Sequence, residues 1–321
     1  MSAIPSTHKA IAMPGPRQPL TVIDVPTLPP KEDEVLVQVK WTGSSPLDLH
    51  QADGGLGTTP NQTPGDTFAG LVAALGPNVT SLKVGDRVFG FAHEEPHHRA
   101  QQEYVTVPAY RVSRVPGEMP LSAAATVSSS LVTVFHAVTA DLGLELPWPI
   151  PQDWRSKNAD APILIWGGAG SVGMFALQVL RHWGYKNIIA VASSRHHAHL
   201  KDLGATATFD YGDGDVTDKI LAYVGDNGAA PRVPFILDCI GILHGTLEPI
   251  SRVAESGSRV AILLPVIVRD ATETEAPIYE GDVSKCLEGK WAEGVALRGV
   301  RTHFYARVSF INPGLECGSY C

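Results

Sequence analysis

The chain has 321 residues, which is longer than a single hydrophobic core usually grows, so we expect two domains. Its net charge is −8 and it has no basic segment, which excludes nucleic acid and anionic membrane surfaces as expected partners. No apolar run approaches the roughly 20 residues of a membrane span, and the N-terminus lacks the layout of a signal peptide. We therefore expect a cytoplasmic protein that does not bind a membrane.

The first part of the chain predicts a mostly β domain. Four short β-like runs alternate with turn signals rich in Gly and Pro, at 34–42, 68–75, 86–92 and 103–109. A small, apolar stretch follows from Leu121 to Gly143, with no Gly or Pro until its end. This stretch predicts a helix that packs closely against its neighbours.

The second part of the chain predicts a parallel sheet. Strand-like runs recur with helical segments between them, at 163–166, 188–192, 207–211, 235–239, 258–264 and 297–305. Such alternation is typical of a parallel sheet covered on both faces. Six strands fit the doubly wound sheet that binds dinucleotides, so the expected fold class is α/β. The final segment, 307–321, has no helical period, and no residues remain to form a helix over the sixth strand.

A glycine-rich turn follows the first of these strands. The turn fits the pattern GxGxxG and leads into an apolar-periodic helix, which makes the signal more specific than the pattern alone. Glycine allows close backbone approach to a pyrophosphate, and the helix N-terminus offers amide donors to it. We predict cofactor contacts from Gly168, Gly170, Ser171, Val172 and Gly173. The alternative is a glycine turn without a ligand.

The end of the second strand indicates which nucleotide is bound. Sheets that bind NAD usually carry Asp or Glu there for the ribose 2′-hydroxyl, whereas this chain has Ser193, Ser194, Arg195 and His196. An arginine and two hydroxyls suit a 2′-phosphate. The sequence therefore favours NADP(H) over NAD. The alternative is that Arg195 caps a solvated turn.

At this point a family resemblance becomes visible. The segment 64–91, followed by the glycine turn, resembles the medium-chain dehydrogenase/reductase superfamily, in which a β-rich GroES-like catalytic domain precedes a Rossmann domain. The stretches "ASSRHHAHLKDLGATATFDY", "DCIG", "SRVAILLPV" and "GVRTHFY" resemble its zinc-free fungal branch of trans-acting enoyl reductases and quinone-oxidoreductase-like enzymes. The resemblance implies a GroES-like domain at 1–125, a Rossmann domain at 126–306 and an atypical tail at 307–321.

Departures from the zinc enzymes of the superfamily argue against a metal. Ser45, Asp66 and Thr67 stand where those enzymes place zinc ligands, and hydroxyls do not replace thiolate and imidazole. We expect His93, His97 and His98 to lie in a solvated loop, and the group at 196–199 to contribute charge beside the phosphate. The four cysteines form no CxxC pattern, which favours reduced structural thiols.

The resemblance also implies which residues line the site. It places Ser45, Pro46, Leu47 and Asp48 near the nicotinamide half of the cofactor, Tyr211 near the adenosine, and Ile262 and Leu263 against the nicotinamide. It places eight residues along the substrate channel: Ser129, Ser130, Leu131, Val132, Thr133, Val134, Phe135 and His136. Thr133 is a candidate donor to the substrate or an ordinary packing residue, and Tyr211 is an adenosine contact or a core aromatic.

Without a metal, the reaction suits a substrate whose own carbonyl group accepts the charge that develops when hydride is added. Hydride adds to the β-carbon of an enone or enoyl thioester while charge develops on the carbonyl oxygen. The resemblance implies an NADPH-dependent enoyl reductase that works in trans on chains carried by a polyketide synthase. Two alternatives remain: a quinone or small-enone reductase, and a catalytically impaired NADP-binding protein. The hypothesis of an impaired protein rests on the end of the chain at Cys321, because members of the superfamily continue for several tens of residues beyond that point. No catalytic acid is identified.

Overall fold

The computed structural model describes residues 3–226, 228 and 231–304. The chain divides into two compact units, Met1–Ser130 with Asp270–Pro277, and Leu131–Arg269 with Ile278–Cys321. The expectation for the tail at 307–321 falls outside the described residues.

The first unit is built on antiparallel strands. The strands are β1 Thr7–Ala12, β2 Thr21–Pro26, β3 Glu34–Thr42, β4 Thr67–Leu75, β5 Arg87–Phe91, β6 Tyr104–Pro108 and β7 Val112–Arg114. A five-stranded sheet has the order β6-β3-β4-β5-β7, and a two-stranded ribbon pairs β1 with β2. Two short helices accompany them, α1 Pro46–Gly54 and α2 Leu121–Ala124. A core of mostly β-branched side chains lies against the sheet and surrounds Phe68.

The second unit is built on a parallel sheet. Its strands are β8 Ile163–Trp166, β9 Ile188–Val191, β10 Ala207–Phe209, β11 Phe235–Asp238, β12 Arg259–Leu263 and β15 Ala296–Val300, in the order β10-β9-β8-β11-β12-β15, and a separate ribbon pairs β13 Val266–Arg269 with β14 Ile278–Glu280. The helices are α3 Ser128–His136, α4 Ser171–His182, α5 His197–Leu203, α6 Val216–Val224 and α7 Glu248–Val253. The α/β fold class is therefore confirmed.

Both faces of the parallel sheet are covered. Every residue of β8, β9 and β11 is buried, and successive side chains of β8 enter two different cores. Ile163 and Ile165 pack with α4, whereas Leu164 and Trp166 pack with α6 and α7. This explains the nearly continuous apolar runs that predicted these strands.

The prediction of one continuous helix from Leu121 to Gly143 was wrong. It is interrupted after α2, where the hydroxyl of Thr126 donates to the carbonyl of Ala123 at 2.8 Å and competes with regular helical bonding. The chain resumes as α3 and then forms a π-helical turn over Ala137–Asp141. The sixth strand was predicted to reach residue 305, but β15 ends at Val300 and a 3₁₀ turn follows at Thr302–Phe304.

By length and composition alone, the stretch Leu121–Asp141 could cross a membrane, with a mean hydropathy of 1.5. This contradicts the expectation that no apolar run approaches that length. Ala124, Val134 and Val138 are all buried within the protein's own cores. Because 39% of the apolar window is buried, burial accounts for part of its apolar composition.

Candidate functional site

The glycine turn connects β8 to α4 at the carboxyl end of the parallel sheet. Gly167 and Gly168 both donate their amides to the carbonyl of Val191 at 3.0 Å, which ties the turn to the neighbouring strand β9. A Cβ on Gly173 would lie 2.5 Å from the carbonyl oxygen of Gly167, so only glycine fits at this position of α4. No side chain caps the start of α4. This tight turn at a helix N-terminus fits a pyrophosphate.

The turn lies beside the point where the strand order reverses. From β8 the chain proceeds to β9 and β10 on one side, and then returns to place β11 on the other side. Trp166 of β8 is paired with Asp238 of β11, so both strands end at the same level. Ligands of open α/β sheets bind in the crevice at such a switch point.

The residues predicted to bind the 2′-phosphate form a 3₁₀ turn after β9. Ser194–His196 make up the turn, and Arg195 is exposed with its Nε donating to Nε2 of His196 at 3.1 Å. Tyr211 is 59% exposed. The alternative interpretation of Tyr211 as a core aromatic is therefore wrong.

Asp210 is a residue of this region that the sequence analysis missed. Its Oδ2 accepts the amide of Ser194 at 2.7 Å, and its Oδ1 accepts the amide of Gly212 at 2.8 Å. These hydrogen bonds, with that from Gly212 the strongest, hold the pKa of Asp210 below its usual value. The carboxylate thus links the turn after β9 to the loop that carries Tyr211. Its position directly after the third strand was the available signal.

On the other side of the switch point, next to β11, β12 ends with Ile262 and Leu263. The side chain of Ile262 is completely buried in the core of α6 and α7, whereas Leu263 is partly exposed. Leu263 can therefore contact a nicotinamide with its side chain. Ile262 can do so only with its backbone.

The end of β11 holds a second residue that the sequence analysis missed. Asp238 is 0% exposed, and its carboxylate accepts the amides of Ile240 at 3.0 Å and Gly241 at 3.2 Å, as well as the hydroxyl of Thr246. Burial raises the pKa of Asp238 to about 6, although the three donors act against this shift. The dipeptide "DC" after a strand was visible in the sequence, but the number of donors around it was not.

The predicted substrate segment lies on α3. Ser129, Ser130, Leu131, Val132, Phe135 and His136 are partly exposed, whereas Thr133 and Val134 are buried. The hydroxyl of Thr133 accepts a hydrogen bond from that of Thr302 at 3.0 Å. This burial and this contact favour the packing interpretation of Thr133.

Asp141, at the end of the π-helical turn, is a third missed residue. Its Oδ2 lies 3.9 Å from Nε2 of His136 and is buried without a hydrogen-bond partner among the described residues. Burial raises the pKa of Asp141 to about 6, although the charge of Arg298 opposes this shift, and burial lowers the pKa of His136. Both groups therefore disfavour their charged forms.

In the first unit, the predicted residues Ser45 to Asp48 form the start of α1, with Pro46 as its first residue and Leu47 partly buried. Asp48 accepts the amide of Ser45 at 2.8 Å and the amide of Gly65 at 3.0 Å. Burial raises the pKa of Asp48, and the nearby charge of Asp66 acts in the same direction. Asp48 thus joins the helix start to the segment that carries Asp66.

The positions of the zinc ligands do not fit a metal. Asp66 and Thr67 are buried, and the guanidinium of Arg99 experiences the charges of Asp66 and Asp48. A cation of the protein itself therefore lies near these carboxylates. Within residues 3–226, 228 and 231–304, no group of three or more His, Cys, Asp or Glu residues could hold a metal ion.

The expectation of a solvated histidine loop was wrong for His98, whereas His93 and His97 are partly exposed. His98 is buried, its Nδ1 lies 3.4 Å from Glu94, and Arg111 pairs with the same carboxylate. Burial lowers the pKa of His98 to about 4, so the imidazole is neutral at physiological pH. This loop is part of the packed structure of the first unit.

Two stretches of the chain match known protein families. Residues 31–117 match the alcohol dehydrogenase GroES-like domain, and residues 171–263 match the zinc-binding dehydrogenase family. The second match runs from the first residue of α4 to the last residue of β12.

Similar proteins of known sequence include fungal trans-enoyl reductases. The chain is 34% identical over 253 residues to trans-enoyl reductase tazE of Aspergillus terreus, which covers 75% of this chain and 79% of that protein. It is 36% identical over 252 residues to trans-enoyl reductase tndF of Aspergillus flavipes, which covers 75% of this chain and 69% of that protein.

Solved structures share the fold at lower identity. The CurK enoyl reductase superposes with a TM-score of 0.74 at 19% identity, covering 96% of this chain and 84% of that chain. A dehydrogenase structure from Sinorhizobium meliloti 1021 bound to NADP gives a TM-score of 0.64 at 23% identity, covering 92% and 84%. The chain belongs to the medium-chain dehydrogenase/reductase superfamily, among its oxidoreductases of the enoyl reductase type.

Proposed function

We propose that this protein is an NADPH-dependent reductase of α,β-unsaturated carbonyls, and that its substrate is an enoyl thioester carried by a polyketide synthase in trans. The observation that carries the proposal is the glycine turn at the switch point of the parallel sheet, between β8 and α4. The names of the fungal relatives, which are trans-enoyl reductases, support the reaction.

The choice of NADPH is supported by the turn after β9. Arg195 and Ser193 have exposed or partly exposed side chains that suit a 2′-phosphate. Among the described residues, Asp210 is the only carboxylate that is hydrogen-bonded to Ser194, and both of its oxygens accept backbone amides. Those hydrogen bonds indicate that Asp210 stabilises the turn and does not recognise a ribose hydroxyl.

In this mechanism the chain's own residues bind and orient the cofactor. The glycine turn and the start of α4 would hold the pyrophosphate, Arg195 would hold the 2′-phosphate, and Leu263 would border the nicotinamide. NADPH bound there would supply a hydride to the β-carbon, and the α-carbon would take a proton from water. The hydride, which carries two electrons, and the proton together convert the carbon–carbon double bond to a single bond.

The zinc site of the superfamily has no part in this proposal. The hydroxyls of Ser45 and Thr67 are poor zinc ligands, which leaves Asp66 as the one carboxylate at these positions, and Arg99 adds positive charge nearby. We propose a cytoplasmic location, because part of the apolar stretch Leu121–Asp141 packs into the protein's own cores, as in a core helix of a soluble protein.

Parallel titrations with NADPH and NADH, followed by nicotinamide fluorescence, test the cofactor assignment. Turnover is then measured with a short enoyl-pantetheine thioester and with a benzoquinone. NADPH-selective binding and faster reduction of the thioester are expected. Faster reduction of the quinone would replace the substrate assignment, and binding without turnover would indicate an impaired NADP-binding protein. Binding of neither nucleotide would contradict the proposal.

A further inference from the structure

A buried carboxylate organises the loop that follows β11. Asp238 Oδ1 accepts the amides of Ile240 and Gly241, and its other oxygen accepts the hydroxyl of Thr246. Thr246 Oγ1 in turn accepts the amide of Ile242 at 3.0 Å. Three consecutive backbone amides, 240 to 242, are thus satisfied by Asp238 directly or through one hydroxyl. Because the carboxylate is 0% exposed, water cannot replace these donors without a rearrangement.

One side of this loop packs on the glycine turn. A Cβ on Gly167 would lie 2.6 Å from Cγ1 of Ile240 and 3.4 Å from Cβ of Cys239. Gly167 itself has a φ of +82°, in the region that glycine favours. The side chain of Ile240 therefore rests directly on the backbone of the turn that is expected to hold the pyrophosphate. Ile240 is nevertheless 41% exposed, so it also presents apolar surface at the carboxyl edge of the sheet.

The other side of the loop is joined to the end of β12. Gly241 has a φ of +71°, and a Cβ there would lie 2.5 Å from the carbonyl oxygen of Leu263. The carbonyl of Gly241 accepts the amide of Ile267 at 2.7 Å. The loop thus contacts both the pyrophosphate turn and the strand end that is expected to border the nicotinamide.

We propose that Asp238 is a positioning residue for the nicotinamide cofactor. Its carboxylate fixes the 239–242 loop, and the loop sets the spacing between the turn at Gly167 and the strand end at Leu263. The inference rests on the proposed use of NADPH. It assigns Asp238 no contact with the reacting atoms, and it predicts an effect on the pyrophosphate and nicotinamide part of the cofactor but not on the adenosine part.

The test compares two ligands that occupy different parts of the cofactor site. NADPH extends across the glycine turn, whereas adenosine 2′-monophosphate carries the adenosine and 2′-phosphate without the pyrophosphate or nicotinamide. Dissociation constants for both are measured with Asp238→Asn, which keeps the size of the side chain and gives up its charge and one acceptor. Thr246→Val removes a single hydroxyl of the same network at nearly constant shape. Asp282→Asn is the matched control, because Asp282 also accepts an amide and a hydroxyl from Ser284 in its own turn.

Asp238→Asn is expected to weaken NADPH binding about tenfold or more, since it disturbs charge-assisted hydrogen bonds, and to change binding of adenosine 2′-monophosphate by less than about twofold. Thr246→Val should give a smaller loss with the same preference, and it carries the test if Asp238→Asn does not fold. Asp282→Asn should match the wild type for both ligands. Equal losses for both ligands, or no loss for NADPH, would overturn the inference. A wild-type chain that binds no NADPH would instead overturn the proposed function, before any substitution is made.

Discussion

The hydroxyl of Thr302, just beyond β15, donates to the hydroxyl of Thr133 on α3 across 3.0 Å, and both side chains are buried. These residues are far apart in sequence, and their contact joins the first turn after the last strand of the parallel sheet to a helix that packs beside it. It also changes how Thr133 should be interpreted, because its oxygen is already an acceptor inside the second unit.

Replacing Thr133 or Thr302 with valine should lower the free energy of unfolding by about 1 kcal/mol in each case, because each change removes the hydrogen bond between the two buried hydroxyls. The double variant should lose less than the sum of the two, since both partners are then removed. Denaturant unfolding measures these values. We expect kcat/KM for the enoyl thioester to stay within about threefold of wild type. A much larger kcat/KM loss in Thr133→Val than in Thr302→Val would restore Thr133 as a substrate donor.

Gly173→Ala tests the glycine turn. The added Cβ would lie 2.5 Å from the carbonyl oxygen of Gly167, so the turn must open, and we expect NADPH affinity to fall by about 100-fold or more. Gly281→Ala is the matched control, because a Cβ there meets nothing within 4 Å and no positive φ is required. Fluorescence titration compares the two variants. Equal NADPH affinity in both would show that the turn does not hold the cofactor.

Arg195→Ala tests the assignment of the 2′-phosphate. A charge-assisted hydrogen bond to phosphate should be lost, so NADPH affinity should fall by about 10- to 100-fold while NADH affinity is unchanged. Lys201→Ala, on the following helix α5, removes one positive charge without a predicted phosphate contact and should leave the selectivity intact. The ratio of the two dissociation constants is the readout. An Arg195→Ala variant with unchanged selectivity would support the alternative that Arg195 only caps a solvated turn.

Asp141→Asn should change how stability depends on pH. The folded-state pKa of Asp141 is about 6, above its ordinary value of 3.8, so the folded chain binds the proton more tightly than the unfolded chain. Asp141 therefore makes the folded state progressively less stable as the pH rises from about 4 to about 6. The neutral amide removes this loss, and we expect a gain of about 1 to 3 kcal/mol at pH 7 that disappears near pH 4.

Asp160→Asn provides the contrasting control for this measurement. Arg155 and Lys186 hold the pKa of Asp160 below its usual value, so this exposed carboxylate stabilises the folded state at neutral pH. Its removal should therefore lower stability at pH 7. A gain in Asp160→Asn, or a gain in Asp141→Asn that is the same at both pH values, would contradict the assigned direction of these shifts.

The elements with a strong local pattern were predictable from the sequence. β3 was predicted at 34–42 and β8 at 163–166, and both have those bounds in the structure. The parallel strands were recognisable because burial on both faces leaves almost no polar positions within them. The break between α2 and α3 was not predictable in the same way, since it depends on the hydroxyl of Thr126 and on packing that a single apolar run does not encode.

The sequence by itself determined the glycine turn at 168–173 and the basic turn at 193–196, because each depends on residues that are neighbours in the chain. Only the tertiary structure decided which charged groups surround them. Asp210 acquires its partner Ser194 from the neighbouring strand end, whereas Asp238 and Asp141 have partners close in sequence and owe their raised pKa values to burial by the fold. His98 becomes buried where the composition predicted a solvated loop. Burial and hydrogen bonding are properties of the surroundings in three dimensions, so they become visible only when the sheet brings its strand ends together.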